Sequence, residues 1–225
     1  MEKIKLLITG FVLLVLANRI LAQTAINKDT LYNNRAYLKA GIEPATMLTL
    51  GYQHNINVPL LKHHLTTFAE WKVSIPRFSF NNSELKIGGI YPVFKKSGFM
   101  IVNNLNLSTG SVATLHFDSK KFAVADEIAI GFYKKRWFFA TTIEYEKIFL
   151  NYLKHTDFYR ETFYEGAKDG WYTGAGGMFQ FGIEAGISLK ERYDIHLEIM
   201  MPFTEKFDAY GGSPLHTNLG LAYRF

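Results

Sequence analysis

The chain has 225 residues, 48% of them hydrophobic and 20% charged, which excludes long-range disorder and leaves ample apolar surface to bury. Aromatic residues reach 16%, nearly all of them Phe and Tyr, and cysteine is absent, so disulfide scaffolds, thiolate zinc sites, cysteine nucleophiles and a lipidated N-terminal Cys are excluded. The formal charge of +5 is spread along the chain instead of gathering into a basic patch, which argues against nucleic acid as a partner.

Residues 1–22 have the make-up of a cleaved secretory signal peptide: Lys3 and Lys5 in front, a mostly apolar run from Leu6 to Ala17, and Ile20-Leu21-Ala22 before the cut. Twelve helical residues cover about 18 Å, short of the ~30 Å hydrocarbon core, so cleavage is favoured over a membrane anchor. Loss of Lys3, Lys5 and Arg19 together with Glu2 lowers the formal charge from +5 to +3. Residues 23–34 are expected to form a short N-terminal periplasmic segment.

From there the chain alternates. A weak alternating segment over 35–42 precedes the turn Glu43-Pro44-Ala45, and further weak ones occupy 46–56, 65–77, 84–94 and 99–108. Over 122–133, Phe122, Val124, Ile128, Ile130 and Phe132 oppose Ala123, Ala125, Glu127, Ala129 and Gly131. Over 137–146, Trp137, Phe139, Thr141, Ile143 and Tyr145 oppose Phe138, Ala140, Thr142, Glu144 and Glu146. The pattern recurs at 179–189 and 193–203, and at the C-terminus Leu215, Thr217, Leu219, Leu221, Tyr223 and Phe225 share one face. Period two is the mark of strands with one apolar and one polar or small face. Connections at 95–98, 134–136 and 190–192 are short; 78–83, 109–121, 151–170 and 204–214 are longer, and 57–63 is a longish exception on the short side.

A soluble sandwich would also alternate, but three features favour a membrane barrel. The apolar face carries aromatics at strand ends (Trp137, Tyr145, Tyr193 and Phe203), where an interfacial girdle belongs. The opposite face is rich in Gly, Ala, Asn, Gln and Glu, which suits a narrow lumen. The last strand runs to the C-terminus, and in lipid it must pair with the first so that every backbone group is satisfied.

A leader followed by alternating strands and ending Leu-Gly-Leu-Ala-Tyr-Arg-Phe resembles a Gram-negative outer-membrane β-barrel, most similar to the small OmpA- or OmpX-like barrels without a periplasmic domain. The resemblance implies that Leu219, Leu221, Tyr223 and Phe225 form the terminal pattern read by the barrel-assembly machinery, and that the protein resides in the outer membrane among its lipids. The expected fold is all-β: a membrane-spanning antiparallel up-and-down barrel over 35–225. Ten strands are expected, at about 35–42, 45–56, 64–77, 84–94, 99–110, 122–133, 137–150, 171–189, 193–203 and 215–225. Nine follow if Glu43-Pro44 is a bulge within one strand, and eight if two weak segments do not pair.

Glu70, Lys72, Lys86, Glu127, Glu144, Glu146, Glu184, His196, Glu198 and Arg224 are expected to face inward. A barrel of eight to ten strands is only just wide enough for side chains to fill, which favours a salt-bridged plug over a charge-lined conduit. Catalytic readings are weaker. His116, Asp118 and Ser119 are neighbours in sequence, whereas triads are assembled in space from separate segments. His196 and Glu198 offer only two ligands, and His63 and His64 point opposite ways on a strand. Gly174-Ala175-Gly176-Gly177 lacks the Lys and helix of a phosphate loop and marks a bend instead. In the 151–170 loop, Tyr152, Phe158, Tyr159, Phe163 and Tyr164 alternate with charges, which fits either a surface-binding loop for an unidentified ligand or strands extended above the bilayer. The expectation is thus a monomeric, non-enzymatic barrel with no cofactor or metal and a structural or surface-binding role. A narrow channel for small solutes and a lipid- or peptide-modifying enzyme are the alternatives.

Overall fold

A computed structural model describes residues 32–43, 45–75, 82–174, 176–208 and 214–225. The proposed leader, residues 1–22, lies outside them. In chain order the elements are β1 (Asn34–Glu43), β2 (Ala45–Ile56), β3 (Leu65–Ser74), β4 (Ser83–Lys96), β5 (Phe99–Ala113), β6 (Phe117–Tyr133), β7 (Trp137–His155), α1 (Asp157–Thr162), β8 (Gly170–Thr173), β9 (Gly177–Leu189), β10 (Tyr193–Thr204) and β11 (His216–Arg224).

Every pairing is antiparallel between chain neighbours, with β7 pairing β9 and β11 returning to β1 from Arg35↔Arg224 to Ile42↔Thr217. The result is a closed barrel of ten strands, with β8 an extra short strand on the upper part of β7. Glu43↔Ala45 pairing makes β1 and β2 a hairpin and settles the count at ten. The seam is pinned at its end by Asn34 N–H to Phe225 O (3.2 Å) and Phe225 N–H to Asn34 O (3.0 Å). Closure gives each of the ten barrel strands a partner on both sides, the condition hydrocarbon imposes, while β8 pairs with β7 alone among the described residues.

The two rims differ. At one, the β4–β5 turn places Ser97 and Gly98 at φ +51° and +88°, the two-residue hairpin geometry in which glycine supplies a left-handed position without steric cost. The β9–β10 turn at the same rim carries Lys190 and Glu191 at φ +49° and +61°. Glu191 pairs there with Lys135 of the adjacent turn, and this hydrogen-bonded contact holds its carboxyl below the usual range. The opposite rim carries the 156–169 connection with α1.

Three sequence expectations are corrected here. The 109–121 stretch is no long loop: β5 and β6 run on to Ala113 and from Phe117, joined by a three-residue turn. The expected strand 171–189 is broken into β8 and β9, because Gly174 and Gly176 adopt φ +66° and +97° and shift the register against β7. β3 ends at Ser74. β7, at 19 residues, is about twice the length of β11, at nine, so the β5–β8 side of the barrel projects beyond the rest at the loop rim.

Outside and inside are inverted relative to a soluble sandwich. Leu38, Leu50, Ile87, Leu107, Ile143, Leu197 and Leu221 point outward and are exposed, while Arg35, Glu144, Glu146, Asp194, His196 and Arg224 are buried inside.

Candidate functional site

The interior is built in three parts. Nearest the tight-turn rim, Asp194 of β10 takes Arg224 Nε at 3.1 Å and has Arg35 Nε at 3.3 Å; all three side chains are at most 2% exposed. Ser188 donates to Asp194, Arg224 Nη2 donates to Ser188 Oγ at 3.0 Å, and Arg35 donates to Gln53 at 3.1 Å. Beside this cluster the interior is apolar: Phe68, Ile90, Met100, Val102, Ala129, Tyr133, Phe138 and Ala140 pack together, with Tyr133 and Phe138 stacked at 6.0 Å. Together these groups occupy the interior nearest the tight-turn rim.

Midway up, Lys39 sits 3.1 Å from Glu70 and 3.9 Å from Glu198, Tyr37 donates to Glu70 at 2.7 Å, and Tyr133 donates to Glu184 at 3.0 Å. Toward the loop rim a chain of ions runs Glu43–Lys72–Glu84–Lys121–Glu146, with its last three contacts at 3.5, 3.0 and 2.9 Å. Glu144 accepts from Gln180 at 2.7 Å, and Gln180 bonds His216 at 3.1 Å.

Between these layers is a cavity of about 120 Å³, lined by Lys39, Glu70, Lys86, Glu127, Glu144, Glu184 and Glu198 among others. That is room for several waters and far below a drug-sized pocket. Its acids are arranged as two like-charge pairs across strands: Glu127 lies opposite Glu144, and Glu184 opposite Glu198. Opposed like charges are unfavourable. Lys86 and Glu127 both face this cavity without a hydrogen bond or ion pair among the described residues.

All ten inward candidates therefore lie inside the barrel, but they do not form one site. Arg224 belongs to the Asp194 cluster, Lys72 and Glu146 to the loop-rim chain, and Glu70, Glu184 and Glu198 to the middle. His196 is buried over Gly220 and does not join Glu198 at a metal site; among the described residues no group of three or more His, Asp or Glu is placed to hold a metal. Sequence reasoning missed Arg35, Lys39, Glu43, Glu84 and Lys121, which supply half of these contacts. Arg35 and Lys39 sit in one of the weak alternating segments; only their spacing at i, i+4 on one face of β1 could have marked them.

On the outer wall, Trp137 and Tyr193 lie at the tight-turn rim, with Tyr193 5.2 Å from Tyr223 and Tyr223 5.9 Å from Phe225. Tyr145 and Phe203 lie higher, contacting Phe179 at 4.7 Å and Phe181 at 5.7 Å respectively. Leu219, Leu221, Tyr223 and Phe225 form one outward row, each at least 36% exposed.

At the loop rim, His116 is a packing hub. Its ring meets Phe158 at 5.8 Å, Tyr159 at 6.2 Å and Phe163 at 5.4 Å. Thr156 ties this cluster together: its hydroxyl accepts from Tyr159 N–H at 3.2 Å to cap α1 and donates to Leu115 O at 2.8 Å. Ser119 donates instead to Asn151, so His116, Asp118 and Ser119 do not form a catalytic chain. Tyr152 is not part of the cluster; it lies on β7 against Trp171 of β8 at 5.1 Å. Phe163 and Tyr164 remain 61% and 63% exposed.

No protein-family model matches the sequence, and no curated protein matches it. Among solved structures, a KdgM porin aligns over 85% of this chain and 99% of its own at 12% identity, with a TM-score of 0.40. A KdgM porin in complex with disordered oligogalacturonate aligns over the same shares at 13% identity and 0.39. The strand pairings alone establish the closed, even-stranded antiparallel architecture of outer-membrane-type barrels.

Proposed function

We propose that this chain is an integral outer-membrane barrel without enzymatic activity, closed through its interior, whose outward contacts are made by the rings gathered around His116. The carrying observation is the interior itself. Apolar packing and the Asp194 cluster fill one end, ion pairs cross the rest, and the cavity between them measures about 120 Å³. The apolar outer wall is suited to lipid, since hydrocarbon accepts a barrel only when its backbone pairs internally. In this reading residues 1–22 direct export, the outward row ending at Phe225 is presented to the assembly machinery, and the barrel itself needs no cofactor.

A second reading, a narrow cation conduit, is favoured by one feature: the Glu127–Glu144 and Glu184–Glu198 pairs give the middle of the interior an excess of acid.

One experiment separates them. The chain from Gln23 onward, refolded into a planar bilayer and verified as folded, is expected to give no conductance steps. Reproducible steps overturn the closed interior and support the conduit, in which case Glu184→Gln and Glu198→Gln should each reduce cation preference.

A further inference from the structure

The outward row of β6 from Phe122 to Phe132 has one polar interruption. Asp126 of β6 points outward and is exposed, with Val124 and Phe122 outward on one side and Ile128 and Ile130 outward on the other. Among the described residues of the barrel strands it is the one outward carboxyl flanked by apolar residues at both i±2 and i±4. Its partner is Asn103 of β5, also on the outward face, which donates Nδ2–H to Asp126 Oδ1. Leu105, directly opposite Asp126, continues the apolar wall. The pair thus sits within the band that faces hydrocarbon, a placement that rests on the membrane reading above.

Lipid tails offer such a pair nothing. A carboxyl has several acceptor sites and Asn103 supplies one hydrogen; hydrocarbon can satisfy none of the rest. Polar groups at such positions are costly and generally find a protein partner. The pair's own chemistry identifies that partner. The second N–H of Asn103 makes only a long contact, 3.5 Å to Glu127 O, and Asp126 keeps free acceptor sites, so the pair is self-complementary: a copy rotated by 180° presents a carboxylate acceptor to each of those N–H groups. Two-fold contacts require this reciprocity. The wall shape agrees. On the β3–β5 side of the pair is a shallow apolar hollow lined by Thr67, Ile87, Leu105 and Leu107, and on the other side β7 carries Ile143 and Tyr145 outward. A two-fold axis parallel to the barrel and passing between β5 and β6 sets Ile143 and Tyr145 of each copy against the hollow side of the other.

We propose that two copies of this chain associate within the membrane through the β5–β6 wall, joined at the Asn103–Asp126 pair. This departs from the monomer expected from the sequence. The wild-type chain lacks cysteine, so single thiols report the contact directly. Ile128→Cys lies beside the proposed axis, opposite Asn103; Leu221→Cys lies on the far wall, where β11 meets β1. Each variant is folded into phosphatidylcholine vesicles, insertion is checked by the shifted migration of the unboiled barrel, and the thiols are oxidised. Ile128→Cys should yield a disulfide-linked species of twice the monomer mass and Leu221→Cys should not. Adding Asp126→Leu to Ile128→Cys should weaken association at least about tenfold, the factor one hydrogen bond to a charged group supplies. Inserted chains that stay monomeric, equal linkage at both positions, or linkage unaffected by Asp126→Leu would overturn the pairing. Failure to insert would overturn the membrane reading and the pairing with it.

Discussion

Tyr37 of β1 lies flat over Gly51 of β2, its direct cross-strand neighbour, so closely that a Cβ on Gly51 would fall 2.1 Å from the ring. The same device recurs where His196 covers Gly220 and Phe138 covers Gly186. Ring against glycine is how a narrow barrel accommodates large inward side chains. Here it also aims the Tyr37 hydroxyl at Glu70, 2.7 Å away.

Gly51→Ala should therefore destabilise the barrel by about 1–3 kcal/mol through overpacking. Thermal unfolding of the folded species in detergent measures it. Pairing Gly51→Ala with Tyr37→Ala should cost less than the two single changes added together, because removing the ring removes the clash. Strict additivity would mean that the ring and the glycine do not compete for space.

The Asp194 cluster makes a larger demand. Two guanidinium groups, Arg35 and Arg224, share one carboxylate, and all three are nearly inaccessible. Asp194→Asn keeps the shape but leaves two buried cations uncompensated, which should cost about 3–5 kcal/mol. Equilibrium unfolding in urea would register it as a lower midpoint at unchanged slope. Replacing Arg224 with Met at the same time should recover part of the loss, since one cation fewer is stranded.

These contacts show what a sequence conveys and what it withholds. Alternation is strict where one face meets an apolar surround and the other a polar interior, as in β11, with Leu219, Leu221 and Tyr223 outward and Asn218, Gly220 and Ala222 inward. It fades where both faces are polar. Asp118, Ser119, Lys120 and Lys121 look like loop although β6 runs through them, because the strand there has projected past the apolar band. Inward residues can be assigned a face by counting, but which acid meets which base depends on strands far apart in sequence: Glu43 and Lys72 are 29 residues apart, Lys121 and Glu146 are 25. Apolar side chains that turn inward, such as Met100 and Phe138, mimic the lipid-facing pattern and conceal the packing they make inside. Asp126 is hidden in the opposite way, one polar exception on a face otherwise apolar.

The ring cluster around His116 should be separable from the barrel. It joins the β5–β6 turn to α1 through Thr156 and the stacked rings, above the closed strand ladder. His116→Ala should leave the migration of the folded barrel unchanged while speeding proteolytic cleavage within 156–169 severalfold, because opening that segment no longer disrupts ring contacts. An equal loss of barrel stability would tie the cluster to the fold.

Acid should release the same segment through a different group. Asp169 accepts the backbone N–H of His155 at 2.8 Å and lies 2.7 Å from the Arg160 guanidinium, and these bonds lower its carboxyl from an ordinary 3.8 to about 2. A carboxyl depressed in the folded state stabilises it fully above the ordinary value and ceases to do so as pH falls through the lower one. The tie between the end of β7, α1 and the start of β8 should thus hold above about pH 4 and be lost toward pH 2. Trp171, two residues beyond Asp169, is a built-in probe, and its emission should change across that interval. In Asp169→Asn the change should be absent, with the segment already as open at neutral pH as the wild type is in acid. A wild-type transition that survives unaltered in this variant would assign the release to another carboxyl.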